Sequence, residues 1–250
     1  MFSPANSKLK RLYKVRQLRK WFLNKKGLLN KKVYSFDILS GHTCPYAHDC
    51  QSRAVETENG RRIQDGKNTV FRCFSASQEV IFTGVYNKRK ANYEALKGKH
   101  AKEITQIIQA NLPEDAGIVR IHVGGDFFNQ HYFDAWVAIA INNPKVLFYA
   151  YTKSLPFWVN RISMIPGNFI LTASRGGRKD YMIEQYNLRS VQVVMHPSET
   201  ELEIDHDDSH AARPDCVNQD FALLIHGIQP KGKASAAITR LKKEQIVFSY

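Results

Sequence analysis

The spacing of apolar positions divides the chain into five stretches. In residues 1–32, Leu9, Leu12, Val15, Leu18, Phe22 and Leu23 recur at helical spacing and predict a segment with one apolar face. Residues 33–40 (VYSFDILS) form a short apolar run ending at Gly41 and predict a buried strand. Residues 51–84 hold no sustained period, and Asn59-Gly60 and Asp65-Gly66 mark turns, so this stretch reads as irregular. Residues 86–111 return to helical character with a break expected at Gly98, and Ile104, Ile107, Ile108 and Leu112 line one face of the second half.

From residue 118 a regular alternation begins. Residues 118–123 (IVRIHV), 146–151 (VLFYAY), 169–173 (FILTA), 191–195 (VQVVM) and 221–225 (FALLI) predict strands. Between them, 132–141, 155–164 (opened by Pro156) and 179–186 predict helices, and 198–202 an acidic helix or loop. These strands start 22–30 residues apart, the length of a strand–helix–strand unit. Their runs are continuously apolar, as in a parallel sheet covered on both faces. With residues 33–40 there are six strands. The fold expected is α/β, and two forms fit: an open doubly wound sheet, or a partial (βα)6 barrel-like parallel sheet. A basic N-terminal helical arm (1–32) precedes a single α/β domain (33–250).

Charge sharpens the view of the arm. The net charge is +13, and residues 1–32 hold eleven Lys or Arg and no acid, leaving the other 218 residues near +2. Such an arm is drawn to nucleic-acid phosphates or another anionic partner by counterion release. A solvated extension, or a segment docked through its apolar stripe, are the other readings. Hydrophobic residues make up 43% and charged residues 24%, an ordinary globular balance, and no apolar run reaches the roughly 18–20 residues of a membrane helix. The basic N-terminus lacks the apolar core and cleavage site of a secretory signal, so an intracellular protein is expected.

Inside a cell, cysteines serve metals or catalysis more often than disulfides. Cys44 and Cys50 are separated by five residues, Cys73 follows after twenty-two more, and Cys216 is far downstream. Thiolates are soft ligands for zinc, copper(I) or iron–sulphur clusters. Zinc favours closer Cys pairs than this, so the wide spacing points to an iron–sulphur cluster on Cys44, Cys50 and Cys73, with Cys216 as a candidate fourth ligand and zinc as the alternative. Buried apolar roles for Cys73 and Cys216, and a Cys44–Cys50 redox pair, stay open.

Function in parallel α/β folds gathers at the carboxyl ends of the strands. Here those ends carry the cysteine loop, Gly124-Gly125-Asp126, Thr152-Lys153-Ser154, Ser174-Arg175-Gly176-Gly177-Arg178, His196 and His226. Gly124, Gly125 and Asp126 would let a ligand approach backbone and offer a carboxylate. Lys153, Ser174 and Arg175 would line the same pocket, Arg175 as an anion clamp. A dense run, Glu203, Asp205, His206, Asp207, Asp208 and His210, suits either a divalent-metal nuclease or phosphoesterase, or a loop whose side chains bind one another.

FRCFSASQE (71–79), VRIHVGGDFFNQHYFDAW (119–136), LFYAYTKSLPFW (147–158), LTASRGGR (171–178), EIDHDDSHAA (203–212), FALLIHGIQPKG (221–232) and the loop SGHTCPYAHDC (40–50) resemble the phage family called gene product 88. The likeness runs over roughly residues 34–243 and implies a protein at work in the cytoplasm of a phage's host. A more distant likeness is to radical S-adenosylmethionine enzymes, which carry three cluster cysteines after the first barrel strand and Gly-Gly-Glu-Pro after the second. That likeness implies a [4Fe–4S] cluster with three of its irons on Cys44, Cys50 and Cys73, and S-adenosylmethionine near Gly124, Gly125 and Asp126. The chain departs from it where the third cysteine lies beyond a long insertion, and a fourth ligand at Cys216 would leave no iron open.

Overall fold

The structure is a computed structural model and describes residues 1–246. In chain order the strands and α-helices are β1 (Ser3–Pro4), β2 (Lys32–Phe36), β3 (Ser52–Thr57), β4 (Gly60–Asp65), α1 (Phe74–Ile81), α2 (Thr83–Leu96), α3 (Ala101–Asn111), β5 (Ala116–Ile121), α4 (Gln130–Asn142), β6 (Leu147–Thr152), α5 (Leu155–Val159), β7 (Phe169–Ser174), α6 (Tyr181–Gln185), β8 (Ser190–Val194), α7 (Ser209–Ala212), β9 (Phe221–Leu224) and α8 (Lys233–Lys243). Seven strands form one sheet in the order β1-β2-β5-β6-β7-β8-β9, in which only the β1–β2 pair is antiparallel. The architecture is thus a mixed α/β fold on a mostly parallel sheet. From β2 onward the strands add in chain order, whereas a doubly wound sheet reverses its order at a switch point.

Alternation along each strand divides the side chains between two cores. Phe36, Val119, Ile121, Phe148, Ala150, Phe169 and Leu171 face the helical layer, where they meet Ile104, Ile108, Phe133, Trp136, Leu155 and Ile183. Val33, Ile118, Leu147, Tyr149, Ile170, Val191 and Phe221 face the opposite side. There the cover is the N-terminal arm together with Ala211 and Ala212 of α7.

The arm is built of 3₁₀ helices, Leu9–Lys14 and Arg16–Phe22, in place of the regular helix expected. The reason is legible afterwards in the spacing. Leu9, Leu12, Val15 and Leu18 recur every third residue, which is the period that stacks side chains on one face of a 3₁₀ helix. Leu9, Leu12, Leu18 and Phe22 are buried, and each such side chain contributes about 1.5–3 kcal/mol. Docking through the apolar stripe is therefore the reading that holds. Gly117 lets the arm lie directly on β5, because a Cβ there would stand 2.3 Å from the Trp21 carbonyl oxygen. The Val33 amide donates to the Tyr13 hydroxyl at 2.9 Å, and Lys31 Nζ donates to the Ala116 carbonyl at 3.1 Å.

Several expectations need correction. Residues 51–84 are ordered as the β3–β4 hairpin followed by α1. The first strand ends at Phe36, because Asp37 turns to accept the Val123 and Gly124 amides at the end of β5. The helix expected over 155–164 is α5 followed by a separate 3₁₀ turn, Ile162–Met164, and the acidic stretch near 198–202 holds only the 3₁₀ turn Pro197–Glu199. The break at Gly98 is present, at φ +74 between α2 and α3. Among the described residues, no helix is long and apolar enough to cross a membrane.

Candidate functional site

The loop after β2 is held over the strand ends by its neighbours. Ile38 N donates to the Gly124 carbonyl at 3.0 Å. Ser40 donates through both its amide (2.9 Å) and its hydroxyl (2.8 Å) to the buried Glu79 carboxylate of α1. Glu79 is paired in turn with Arg89 of α2 at 3.0 Å. Thr43 Oγ1 donates to the Leu39 carbonyl and accepts the Asp126 amide, tying the cysteine loop to the end of β5. Farther on, the amides of His48 and Asp49 both donate to the Gly176 carbonyl, and Arg178 N donates to the Tyr46 carbonyl. The loop therefore spans from β2 to the end of β7.

The gap between Cys50 and Cys73 closes on itself. Ser52 pairs with Asp65 at the base of the β3–β4 hairpin, so the insertion leaves and returns at one place. The Cys73 amide then donates to Ser52 Oγ at 3.3 Å. Two thiols far apart in sequence become neighbours in space. Burial pushes the Cys44 thiol well up, and Asp126, Cys73 and Cys50 push it the same way. Burial also raises Cys50, against the nearby Lys153 ammonium and with Asp126 and Asp49. Cys73 is pushed up to about 12 by burial first and by Cys50 second. The three thiols are unlinked and sit in one another's field. Cys216 is elsewhere. Its electrostatic neighbours are Arg213, Asp215, Arg189 and Glu203, beside the start of β8, and none of the other cysteines.

The remaining strand-end residues are engaged within the fold. A Cβ on Gly124 would stand 2.3 Å from Ser75 Oγ and 2.6 Å from Arg89 Cζ. Gly125 has φ +91, and a Cβ there would lie 2.4 Å from Ile38 Cγ1. Both glycines thus serve close packing between β5 and the loops around it. The Asp126 carboxylate accepts from Thr152 Oγ1 (2.6 Å), Phe127 N (2.7 Å) and Lys153 N (2.9 Å). Burial still raises it to about 6, against the pull of those hydrogen bonds. Lys153 Nζ donates to the Ser174 hydroxyl and carbonyl, both at 2.9 Å, and to the Arg175 carbonyl. Arg175 turns away to Glu184 at 2.8 Å and to Ser190 Oγ at 3.1 Å. His122, buried and lowered to about 3 by that burial, meets the Tyr132 hydroxyl through Nε2 at 2.7 Å.

The acidic run forms a separate cluster beneath the arm. Asp208 (φ +63) is buried among Arg120, Lys8 at 2.9 Å, the Tyr149 hydroxyl at 3.0 Å and the Tyr151 hydroxyl at 3.4 Å. Burial alone would raise its carboxyl, but Arg120 and Lys8 hold it down to about 2. Asp205 is raised by burial and by the Asp208 charge. It accepts the amides of Asp207 and Ala211, and Asp207 accepts that of Ser209. His210 packs on the Phe221 ring beside Arg189. These side chains bind one another and cap α7. Among the described residues, no group of three or more His, Cys, Asp or Glu side chains is placed to hold a metal ion.

Sequence reasoning passed over Lys8, Asp37, Glu79 and Arg120, although two gave a signal. Asp37 and Arg120 are lone charges inside otherwise apolar strand runs, and a buried charge demands a partner.

Fold and site together define a mostly parallel α/β protein that presents three half-buried thiols, one carboxylate and one ammonium at the strand ends. The chain belongs to the gene product 88 family, whose family model matches residues 2–244. No curated protein and no solved structure matches it.

Proposed function

We propose that this protein carries a [4Fe–4S] cluster on Cys44, Cys50 and Cys73, at the open end of a partial (βα)6 barrel-like sheet. The observation that carries the reading is the convergence of three unlinked, half-buried thiols from both sides of a closed hairpin. A single ion gathers all its ligands around one centre. A four-iron cluster takes each thiolate on a different iron, so an arrangement that makes no one-ion site remains compatible with it. Thiols crowded beside Asp126 hold their protons, and a positively charged centre would offset the cost of removing them. The barrel-like element of the reading is supported by the strand order, which advances from β2 to β9 without reversal. Cys216 is outside this ligand set.

The likeness to radical S-adenosylmethionine enzymes rests on the order of elements alone. Gly124, Gly125 and Asp126 have packing and hydrogen-bonding roles that account for them without that cofactor. The test is iron and sulphide content, with an absorption spectrum, on protein purified without oxygen. Brown protein with about four irons, lost in Cys44→Ser, Cys50→Ser and Cys73→Ser and kept in Cys216→Ser, is the expected result. Colourless protein with one zinc, or iron indifferent to the three substitutions, removes the reading. Reductive cleavage of S-adenosylmethionine by the reduced protein would add catalysis to it.

A second reading, contact with nucleic acid, is favoured by one observation. Lys10, Arg11, Lys14, Arg16, Arg19 and Lys20 are all exposed on the arm, and none has an acidic partner among the described residues. The divalent-metal nuclease reading has no such support, since Asp205 and Asp208 are engaged inside the fold.

A further inference from the structure

We infer that the arm is a preformed, sequence-independent clamp for the phosphate backbone of duplex nucleic acid; this rests on the nucleic-acid reading and specifies its partner and its residues. The argument begins with how the fold sorts the eleven arm bases. Three serve the protein itself: Lys8 pairs with Asp208, Lys32 with Asp115, and Lys31 donates to the Ala116 carbonyl. The rest are exposed.

The 3₁₀ geometry then arranges them. Side chains three residues apart stand over one another, about 6 Å apart along the axis. With Leu9 and Leu12 of the first helix and Leu18 and Phe22 of the second buried, the first presents Lys10, Arg11, Tyr13 and Lys14 outward, and the second, beyond the extended Val15, presents Arg16, Gln17, Arg19 and Lys20. Six of these eight outward positions are cationic. Because the apolar stripe is already buried, binding has no ordering of the arm to offset, unlike a disordered basic tail that folds on its target.

The aromatic residues decide between duplex and single strand. Single-strand binders stack bases on exposed rings. Here Phe22 is buried, Trp21 is half-buried near Lys20 Nζ, and Tyr13 packs on Phe22 at 4.8 Å with its hydroxyl tied to Val33 N. Tyr13 is the one exposed ring among residues 9–22, and it is held against Phe22, while six cations stand free around it; charge thus outweighs stacking, which suits the backbone of a duplex. Nothing on these two short helices resembles a recognition helix long enough to read base edges, so binding is expected to be indifferent to sequence.

The test is fluorescence anisotropy of a mixed-sequence 30-base-pair DNA duplex across a salt series, using the full chain. Wild type should show log K falling linearly with log salt, by about 0.9 per phosphate engaged. The folded variant Lys10→Gln, Arg11→Gln, Arg16→Gln, Arg19→Gln should flatten that slope by about 3–4 units, equally on two unrelated sequences. A charge-matched control, Lys231→Gln, Lys233→Gln, Lys242→Gln, Lys243→Gln on and before α8, should leave it nearly intact. A slope unchanged in the arm variant, or lowered as much in the control, overturns the clamp while leaving nucleic-acid binding itself standing. Tighter binding to single strands than to duplex overturns the assignment of partner. No salt-dependent binding by wild type, or binding only to anionic lipid vesicles, removes the nucleic-acid reading altogether.

Discussion

Lys8 and Asp208 come from opposite ends of the chain and meet at 2.9 Å beneath the arm, with Arg120 on the other oxygen of the same buried carboxylate. The two cations are not equivalent. Arg120 is a β5 residue that also donates to the His122 carbonyl, whereas Lys8 reaches in from the arm; both side chains are largely withdrawn from water, at 11% and 15% exposed. Asp208→Asn should cost about 3–5 kcal/mol, because it strands both cations, and Lys8→Met less than that, because Arg120 still pairs with the carboxylate. Urea unfolding of both variants checks this. Equal losses would mean that Lys8 is the dominant partner.

The same carboxylate sets an acid limit. Its folded-state value is about 2, below the ordinary value of about 3.9. A depressed acid contributes fully above the unfolded value and loses that contribution as pH falls through the folded one. Stability should drop by about 2 kcal/mol between roughly pH 4 and pH 2 on this account, and the drop should be smaller in Asp208→Asn. An identical acid limb in the variant would assign the loss to other carboxyls.

Leu12→Ala should destabilise the whole molecule by about 2–5 kcal/mol, as a core truncation does, since Leu12 is fully buried. The native arm should also resist trypsin despite its eleven basic residues. Rapid cleavage within residues 1–32 at a protein concentration and temperature where the fold persists would show that the arm detaches.

What hydropathy could reveal was the sheet. Five of the six expected strands lie within two residues of the observed ends, because their runs are apolar on both faces and their flanking turns are sharp. The β3–β4 hairpin escaped because β4 is mostly exposed and charged residues interrupt both strands. It is held by cross-strand pairs such as Glu56 opposite Arg61, and by Arg53 donating to Gln64 at 2.9 Å. Only Asn59-Gly60 announced its turn. α1 inverts the usual pattern, burying Ser75, Ser77 and Glu79 while Ile81 is exposed. At the site, the strand ends were legible as a group. The partners of Arg120 and Glu79 were not, since sequence distance conceals pairings such as Arg120 with Asp208.

Gly125→Ala should lower the melting temperature sharply. Its φ of +91 is unfavourable for any side chain, and the added carbon would lie 2.4 Å from Ile38 and 2.8 Å from Thr43 Oγ1. The cost should exceed the roughly 1 kcal/mol of a glycine-to-alanine change made on conformational grounds alone. Differential scanning fluorimetry against Gly84→Ala, an open position on α2, provides the comparison.

The thiols should be inert in the folded, cluster-free protein. Cys73, raised to about 12, carries almost no thiolate at pH 8, and burial raises Cys44 and Cys50 as well. Iodoacetamide labelling followed by mass spectrometry should find these cysteines unmodified until denaturant is added. Fast native labelling at Cys73 would mean that its thiol is not held protonated.

One consequence of the arm concerns the order in which the protein is made. Leu9, Leu12, Leu18 and Phe22 leave the ribosome about two hundred residues before Ala211, Ala212 and Phe221, with which they share a core. This apolar segment must wait, uncovered, until those partners emerge. During that wait the charges interleaved with it repel one another and any second nascent copy. The same residues that give the finished protein its basic face thus act, before there is a fold, as its protection against premature association.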